Sequence, residues 1–254
     1  MARVIAHGVS DVGRKRKHNE DAFVSVPDLG LFVVADGLGG HSSGEVASAE
    51  AVDAIHSWVL KHRTVLDRLR EDPDDPDVLD DARAMLEAAV KAATYHVFGL
   101  AQVDTRRHGM GTTISAMCIA GDTAIIAQVG DSRVYRVRGD EIRQLTDDHT
   151  LVAMQIRDGL LTPEQAQKSK HKNVITRAVG SHEYVQVDTS AVTVAPGDVF
   201  LLCTDGLHGY LQDGEAFDFL AMPVDQGAQA LIDLANSRGG KDNVTALVVR
   251  VAEV

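Results

Sequence analysis

The chain has 254 residues, a formal charge of −12 at pH 7, and 44 % hydrophobic against 24 % charged residues. That is a globular composition sufficient for one large domain or two small ones, and its acidity excludes nucleic acid as the main partner. No apolar run approaches the length of a membrane span and the N-terminal MARVIAHGVSDVG has no signal-peptide core, so a cytoplasmic protein without membrane contact is expected. Residues 3–9 and 22–26 alternate loosely and are predicted strands, and 31–35 is a continuous apolar strand. This strand is expected to run into a glycine-rich turn, DGLGG, in which Gly37, Gly39 and Gly40 leave Asp36 bare to an ion or a phosphate.

After Gly44 a helical period places Ala51, Val52, Ile55, Trp58 and Val59 on one face. The proline-broken EDPDDPD at 71–77 separates this helix from a second, whose stripe runs through Leu79, Ala82, Leu86, Ala89, Val90, Ala93 and Val97. Short β-type runs follow at 112–120, 123–131 and 133–139, with Gly-Asp turns at 121–122 and 139–140. A polar, helix-prone insertion covers roughly 150–173, where Thr162, Pro163 and Gln165 spell a capping box. Strands are predicted again at 184–194, 198–204 and 243–251, with a helix at 227–236. Bunched strands and paired helices indicate an α+β architecture, and with no linker in view, a single domain. Cys118 and Cys203 lie in apolar runs and are expected as reduced core residues.

Three aspartates share one local pattern, an apolar run that ends in Asp followed by a small residue: Asp36, Asp131 and Asp205. Asp242 precedes the last apolar strand. One Asp-Gly pair more often caps a turn than binds a metal. Four aspartates at strand edges favour a shared cleft, where carboxylates stay ionised together only beside a compensating cation. Oxygen ligands suit a hard ion such as Mg²⁺ or Mn²⁺. In GRKRKHNED (13–21), Arg16 precedes Glu20 and Asp21, and a guanidinium beside such a centre suits phosphate. GGKD at 239–242 lacks a P-loop's spacing, and DPDDPD lacks the glycine of a calcium loop.

The ordered series RKHNED, VVADGLGGH, MGTT, VGDSRVYR, TDDHT, TRAVG, LLCTDGL and GGKDNVTALVV resembles the metal-dependent Ser/Thr protein phosphatases, the PPM or type 2C family, in compact bacterial form. The resemblance runs from about residue 3 to 251. It implies a four-layer αββα sandwich of two mainly antiparallel sheets flanked by helix pairs, formed as one catalytic domain over 1–254 with a mobile flap at about 150–175. It further implies two tightly bound Mn²⁺ or Mg²⁺ ions and a third, weaker one. Asp36 would bridge the tight pair, Gly37 would offer its carbonyl, Asp205 and Asp242 would complete the second ion, and Glu20 and Asp21 would bind directly or through water. Asp131 would share the third ion with Asp205, and Arg16 would bind phosphate. The general acid of animal members falls at Leu38, so His41, where bacterial members carry a histidine, or a metal-bound water takes that role.

The activity implied is hydrolysis of phosphoserine and phosphothreonine in proteins by a metal-activated water, opposing a bacterial Ser/Thr kinase and acting on its substrates, with the chain as a monomer. A non-catalytic phosphoprotein-binding scaffold and a narrow regulator of one anti-sigma-type partner are the alternatives.

Overall fold

The structure, a computed structural model, describes residues 4–39, 43–212 and 214–252. One sheet contains β1 (Val4–Asp11), β7 (Arg133–Arg138), β8 (Glu141–Gln144), β10 (Val199–Cys203) and β11 (Val244–Val251), in the order β1-β11-β10-β7-β8. The other contains β2 (Asp21–Val26), β3 (Leu31–Leu38), β5 (Ile114–Ala120), β6 (Thr123–Val129) and β9 (Asp188–Thr193), ordered β2-β3-β5-β6-β9, with the short β4 (Gly111–Thr112) beside β3. All the strand pairings are antiparallel.

The continuous apolar strands have a simple cause: both of their faces are buried. Phe32 and Val34 of β3 meet Phe200 and Leu202 of β10 and Leu247 and Val249 of β11 between the sheets. The alternate residues Leu31, Val33 and Ala35 face outward onto α1 (Ser43–Lys61) and α3 (Pro76–Val103). On the opposite side, Leu201, Cys203, Ala246 and Val248 pack with Leu231, Ile232 and Ala235 of α8 (Val224–Ser237). The layers are therefore helix, sheet, sheet, helix, as the family resemblance implies. The pairing of helices is unequal, because α8 is accompanied mainly by the short α7 (Ala216–Leu220).

Several boundaries differ from expectation. The first helix breaks at His62, which stacks on Trp58 and bonds the Trp58 carbonyl through Nδ1 at 2.8 Å, and a separate α2 (Arg63–Glu71) follows. Asp75 caps α3 by accepting the Asp77 N–H at 2.9 Å with Pro76 in the first turn, which accounts for the acidic proline stretch. The run at 184–194 is a strand only from Asp188. The insertion holds α4 (Leu151–Arg157) and α5 (Pro163–Gln167), and α5 has the expected capping box on Thr162. β8 and the four-residue α6 (Asp205–His208) were not foreseen, being too short for a periodic signal. Cys118 and Cys203 are buried and free, and burial pushes both thiols up to about 12. Among the described residues, no helix is long and apolar enough to cross a membrane.

Candidate metal and phosphate site

Ends of strands from both sheets meet at one edge of the sandwich. Asp21 opens β2 and lies directly opposite Asp36 of β3. Contrary to expectation, Asp36 does not sit in a turn: β3 continues, with Gly37 opposite Thr112 and Leu38 opposite Gly111. The extra ladder positions hold the carboxylate on a rigid element. The Asp36 N–H donates to Thr113 Oγ1 at 2.9 Å, and its carbonyl accepts from Thr112 Oγ1 at 2.8 Å and the Thr113 N–H at 2.9 Å. The glycine next to it serves a close approach of backbone. A Cβ on Gly37 would stand 2.2 Å from the Gly44 carbonyl oxygen and 2.5 Å from that of Glu20.

Asp131 follows β6, Asp205 begins α6 and Asp242 precedes β11. Burial first, then the charges of Asp21, Asp205, Asp131 and Asp242, pushes Asp36 well above the ordinary carboxylate range. Burial likewise raises Asp21 to about 7, against the Thr245 and Thr204 hydroxyls that lower it. Asp131 also rises to about 7, through burial and then Asp205 and Asp148. Asp205 is raised by burial and by Asp242, and it lies within hydrogen-bonding reach of Asp36. Glu20 is raised by burial, with Arg16 and the backbone of Gly44 in the first turn of α1 opposing the shift. At the rim, Arg16 Nη2 donates to Asp242 Oδ2 at 2.8 Å, with about half of the Arg16 side chain exposed. The structure thus brings Arg16, Glu20, Asp21, Asp36, Gly37, Asp131, Asp205 and Asp242 to one cleft. His41 lies outside the described residues.

The donors are oxygen only, and two of them, Asp21 Oδ1 and Asp205 Oδ1, are buried without a hydrogen-bond partner. A buried carboxylate oxygen with no donor needs a proton or a cation, so the set fits hard divalent ions. Among the described residues, no three acidic, imidazole or thiol side chains close on a single point. Asp242 is turned to Arg16, and Asp21 Oδ2 accepts from Thr204 Oγ1 at 2.9 Å and Thr245 Oγ1 at 2.7 Å. Few carboxylates per ion, with backbone carbonyl and water making up the rest, is the ligation Mg²⁺-like ions accept.

Sequence reasoning missed the residues that hold these carboxylates in place. Asn243 accepts the Glu20 N–H at 2.8 Å and donates to the carbonyls of Val12 and His18, pinning the segment that carries Arg16. Thr204 and Thr245 join Asp21 to the opposite sheet. His208 Nε2 bonds the Asp131 carbonyl at 2.9 Å, and burial holds this imidazole down at about 4 and so neutral. His149 accepts the Gly130 N–H at Nδ1 (3.1 Å) and bonds Asp188 through Nε2 at 3.0 Å, while Arg177 donates to Asp188 at 2.7 Å. TDDHT and TRAVG contain His149 and Arg177 but show nothing of this network, because its members are distant in sequence.

Fold and cleft together define a helix-flanked double-sheet sandwich with an acidic, arginine-bearing site at one edge. The chain belongs to the protein phosphatase 2C family, whose family model matches residues 12–231. It is 34 % identical over 251 residues to protein phosphatase PhpP of Streptococcus pneumoniae, covering 96 % of each chain. Its fold is similar to that of the Mycobacterium tuberculosis serine/threonine phosphatase PstP/Ppp, with a TM-score of 0.86 and 33 % identity over 98 % of this chain and 99 % of that one. It is also similar to the catalytic domain of serine/threonine protein phosphatase PstP in complex with two manganese ions, with a TM-score of 0.83 and 34 % identity at the same coverage.

Proposed function

We propose that the protein is a metal-dependent serine/threonine protein phosphatase that removes phosphate from phosphoserine and phosphothreonine, opposing a bacterial Ser/Thr kinase. The observation that carries this reading is the convergence of buried carboxylates from two sheets, with unpartnered oxygens on Asp21 and Asp205 and a guanidinium at the rim. Asp36, the Gly37 carbonyl, Asp205 and Asp242 would hold two Mn²⁺ or Mg²⁺ ions, with Glu20 and Asp21 acting directly or through water. Asp131, with Asp205, would hold a third, weaker ion. When bound, paired cations neutralise phosphoryl oxygens and lower the pKa of a water so that it can attack in line.

The chain's own residues do the rest. Arg16, half exposed beside Asp242, can turn to grip two phosphate oxygens. The threonine hydroxyls on Asp21 and the threonine bonds to the Asp36 backbone keep both carboxylates aimed without help from substrate. Neither buried thiol is available as a nucleophile. The test is hydrolysis of a phosphothreonine peptide with Mn²⁺ and with excess chelator. Turnover that survives the chelator, or no turnover with Mn²⁺ or Mg²⁺, overturns the reading.

A further inference from the structure

The peptide planes on the two sides of Asp131 are held by different sheets. The plane before it carries the Gly130 carbonyl, which accepts from Gln128 Nε2 at 3.1 Å and from the His149 N–H at 2.9 Å. Gln128 belongs to β6, so part of this hold comes from the strand that leads into Asp131. The plane after it carries the Asp131 carbonyl, and among the described residues that oxygen accepts only from His208 Nε2, at 2.9 Å. His208 closes α6, which follows β10 of the opposite sheet. Peptide units are rigid, so two held planes fix both backbone dihedrals of Asp131 and with them the direction of its Cα–Cβ bond.

α6 is a firm support for this bond. Leu207 is fully buried, and a Cβ on Gly206 would stand 1.8 Å from the Asn243 carbonyl oxygen, so the turn is pressed onto the backbone just before β11. Asp205 and His208 are the first and last residues of this four-residue turn and share one face of it. One short element therefore supplies the Asp205 carboxylate and the tie that aims Asp131. A carbonyl can only accept, so His208 carries a proton on Nε2. The ring also lines a cavity of about 310 Å³ with Arg133, Tyr135 and Leu211, and none of the carboxylates of the cleft lies there. His208 thus acts on Asp131 through the backbone, and a longer side chain at position 208 has room.

We propose that His208 is a positioning residue for the third ion: its bond to the Asp131 carbonyl sets how Asp131 faces Asp205, and so how tightly the ion they share is held. The inference rests on the phosphatase reading above. Mg²⁺-like ions demand near-ideal geometry, and an ion with few protein ligands is the first to be lost when one of them is misaimed. Asp36 and Asp21 are held by threonine bonds in which His208 takes no part, so the tight pair does not depend on it.

The experiment compares His208→Gln, whose amide N–H can take the place of Nε2–H, with His208→Asn, the same amide one methylene short. Electron paramagnetic resonance of free Mn²⁺ counts the bound ions without turnover, and the Mn²⁺ dependence of phosphothreonine-peptide hydrolysis is measured beside it. In His208→Asn the third ion should bind about tenfold more weakly or worse, the size of effect that loss of a hydrogen bond supporting a metal ligand gives, with the first two within about twofold. The Mn²⁺ needed for half-maximal turnover should rise by the same factor, while His208→Gln stays within about threefold of wild type in both measurements. Unchanged third-ion binding in His208→Asn, an equal loss in His208→Gln, or loss of the tight ions or of the fold in His208→Asn overturns the positioning role and leaves the phosphatase reading standing. So does a wild type that hydrolyses the peptide with only two ions bound. A wild type that hydrolyses nothing with Mn²⁺ overturns both.

Discussion

At the scale of single residues the site is dominated by charge held out of water. Asp36 is surrounded by four other carboxylates and anchored through its own backbone, so its side chain cannot swing away from them. Asp36→Asn keeps the shape, removes one negative charge and can donate to Asp205. If Asp36 holds metal as proposed, activity should fall by roughly a hundredfold or more, because a ligand and the water it helps to activate would be lost together. The same variant in chelator should be more stable than wild type, with about 1 kcal/mol of relieved repulsion raising Tm by about 2–4 °C. A less stable Asp36→Asn would show that the repulsion is already relieved by protonation. Arg16 is different: it is half exposed at the rim, where it is paired with Asp242. Arg16→Ala should raise KM by about ten- to a hundredfold, since a hydrogen bond to a charged group contributes about 1.5–3 kcal/mol, and should leave kcat within a small factor. Steady-state kinetics separate the two, and a defect confined to kcat removes Arg16 from phosphate binding.

At the scale of elements, the insertion joins the site through a hydrogen-bonded stem. The His149 N–H donates to Gly130 at 2.9 Å, Thr176 to His149 at 2.8 Å and Leu151 to Val174 at 2.8 Å, so the stem is tied to the residue before Asp131. His149 faces Asp188, Arg177 and Asp148, and burial, the largest effect, holds it below its ordinary value of 6.5. Such a histidine stays neutral in the folded chain while the unfolded chain takes up a proton. Its contribution is therefore complete above about pH 6.5 and declines as the pH falls toward the folded value. Asp188 is lowered by Arg177 and His149 against burial, and its contribution too is lost toward acid. His149→Ala should cost about 1.5–3 kcal/mol at pH 7.5, and the difference from wild type should narrow between pH 6.5 and 5. Denaturant midpoints across that range check it, and a gap that widens toward acid contradicts the neutral assignment. The stem also shows what the sequence could and could not reveal. Strands buried on both faces, such as residues 31–35 and Val199–Cys203, were legible because burial leaves unbroken apolar runs. The break at His62 was not, since helical periodicity continues through Leu66 and Leu69 and only the local Trp58–His62 contact marks it. β8 and α6 are each only four residues long, below the length at which a period can be counted.

At the scale of the whole molecule, the site is a seam at which polar contacts join the two sheets. Away from it, Phe32 and Phe200 fill the space between them; at the edge, Asp21 of one sheet accepts from Thr204 and Thr245 of the other. The acidic residues of this seam were legible one by one, because a carboxylate at the end of an apolar run is conspicuous. The hydroxyls and amide that orient them were not: Thr245 lies within a buried strand and Asn243 just before it, and only the folded register brings them opposite Asp21 and Glu20. This arrangement links cation binding to global stability. Unpartnered oxygens on Asp21 and Asp205 destabilise the seam, and an ion that binds only the folded chain stabilises it by mass action. At a Mn²⁺ concentration about 100 times its Kd the gain is about 2.7 kcal/mol. For a chain of this size that corresponds to a Tm increase of about 5–10 °C over chelator. Thermal unfolding followed by circular dichroism reads it without any assay of activity. Asp242→Asn should lose most of the increase while its Tm in chelator stays close to wild type, since the amide oxygen introduced there can still accept from Arg16. An increase of the same size in Asp242→Asn would place the stabilising ion somewhere other than this seam.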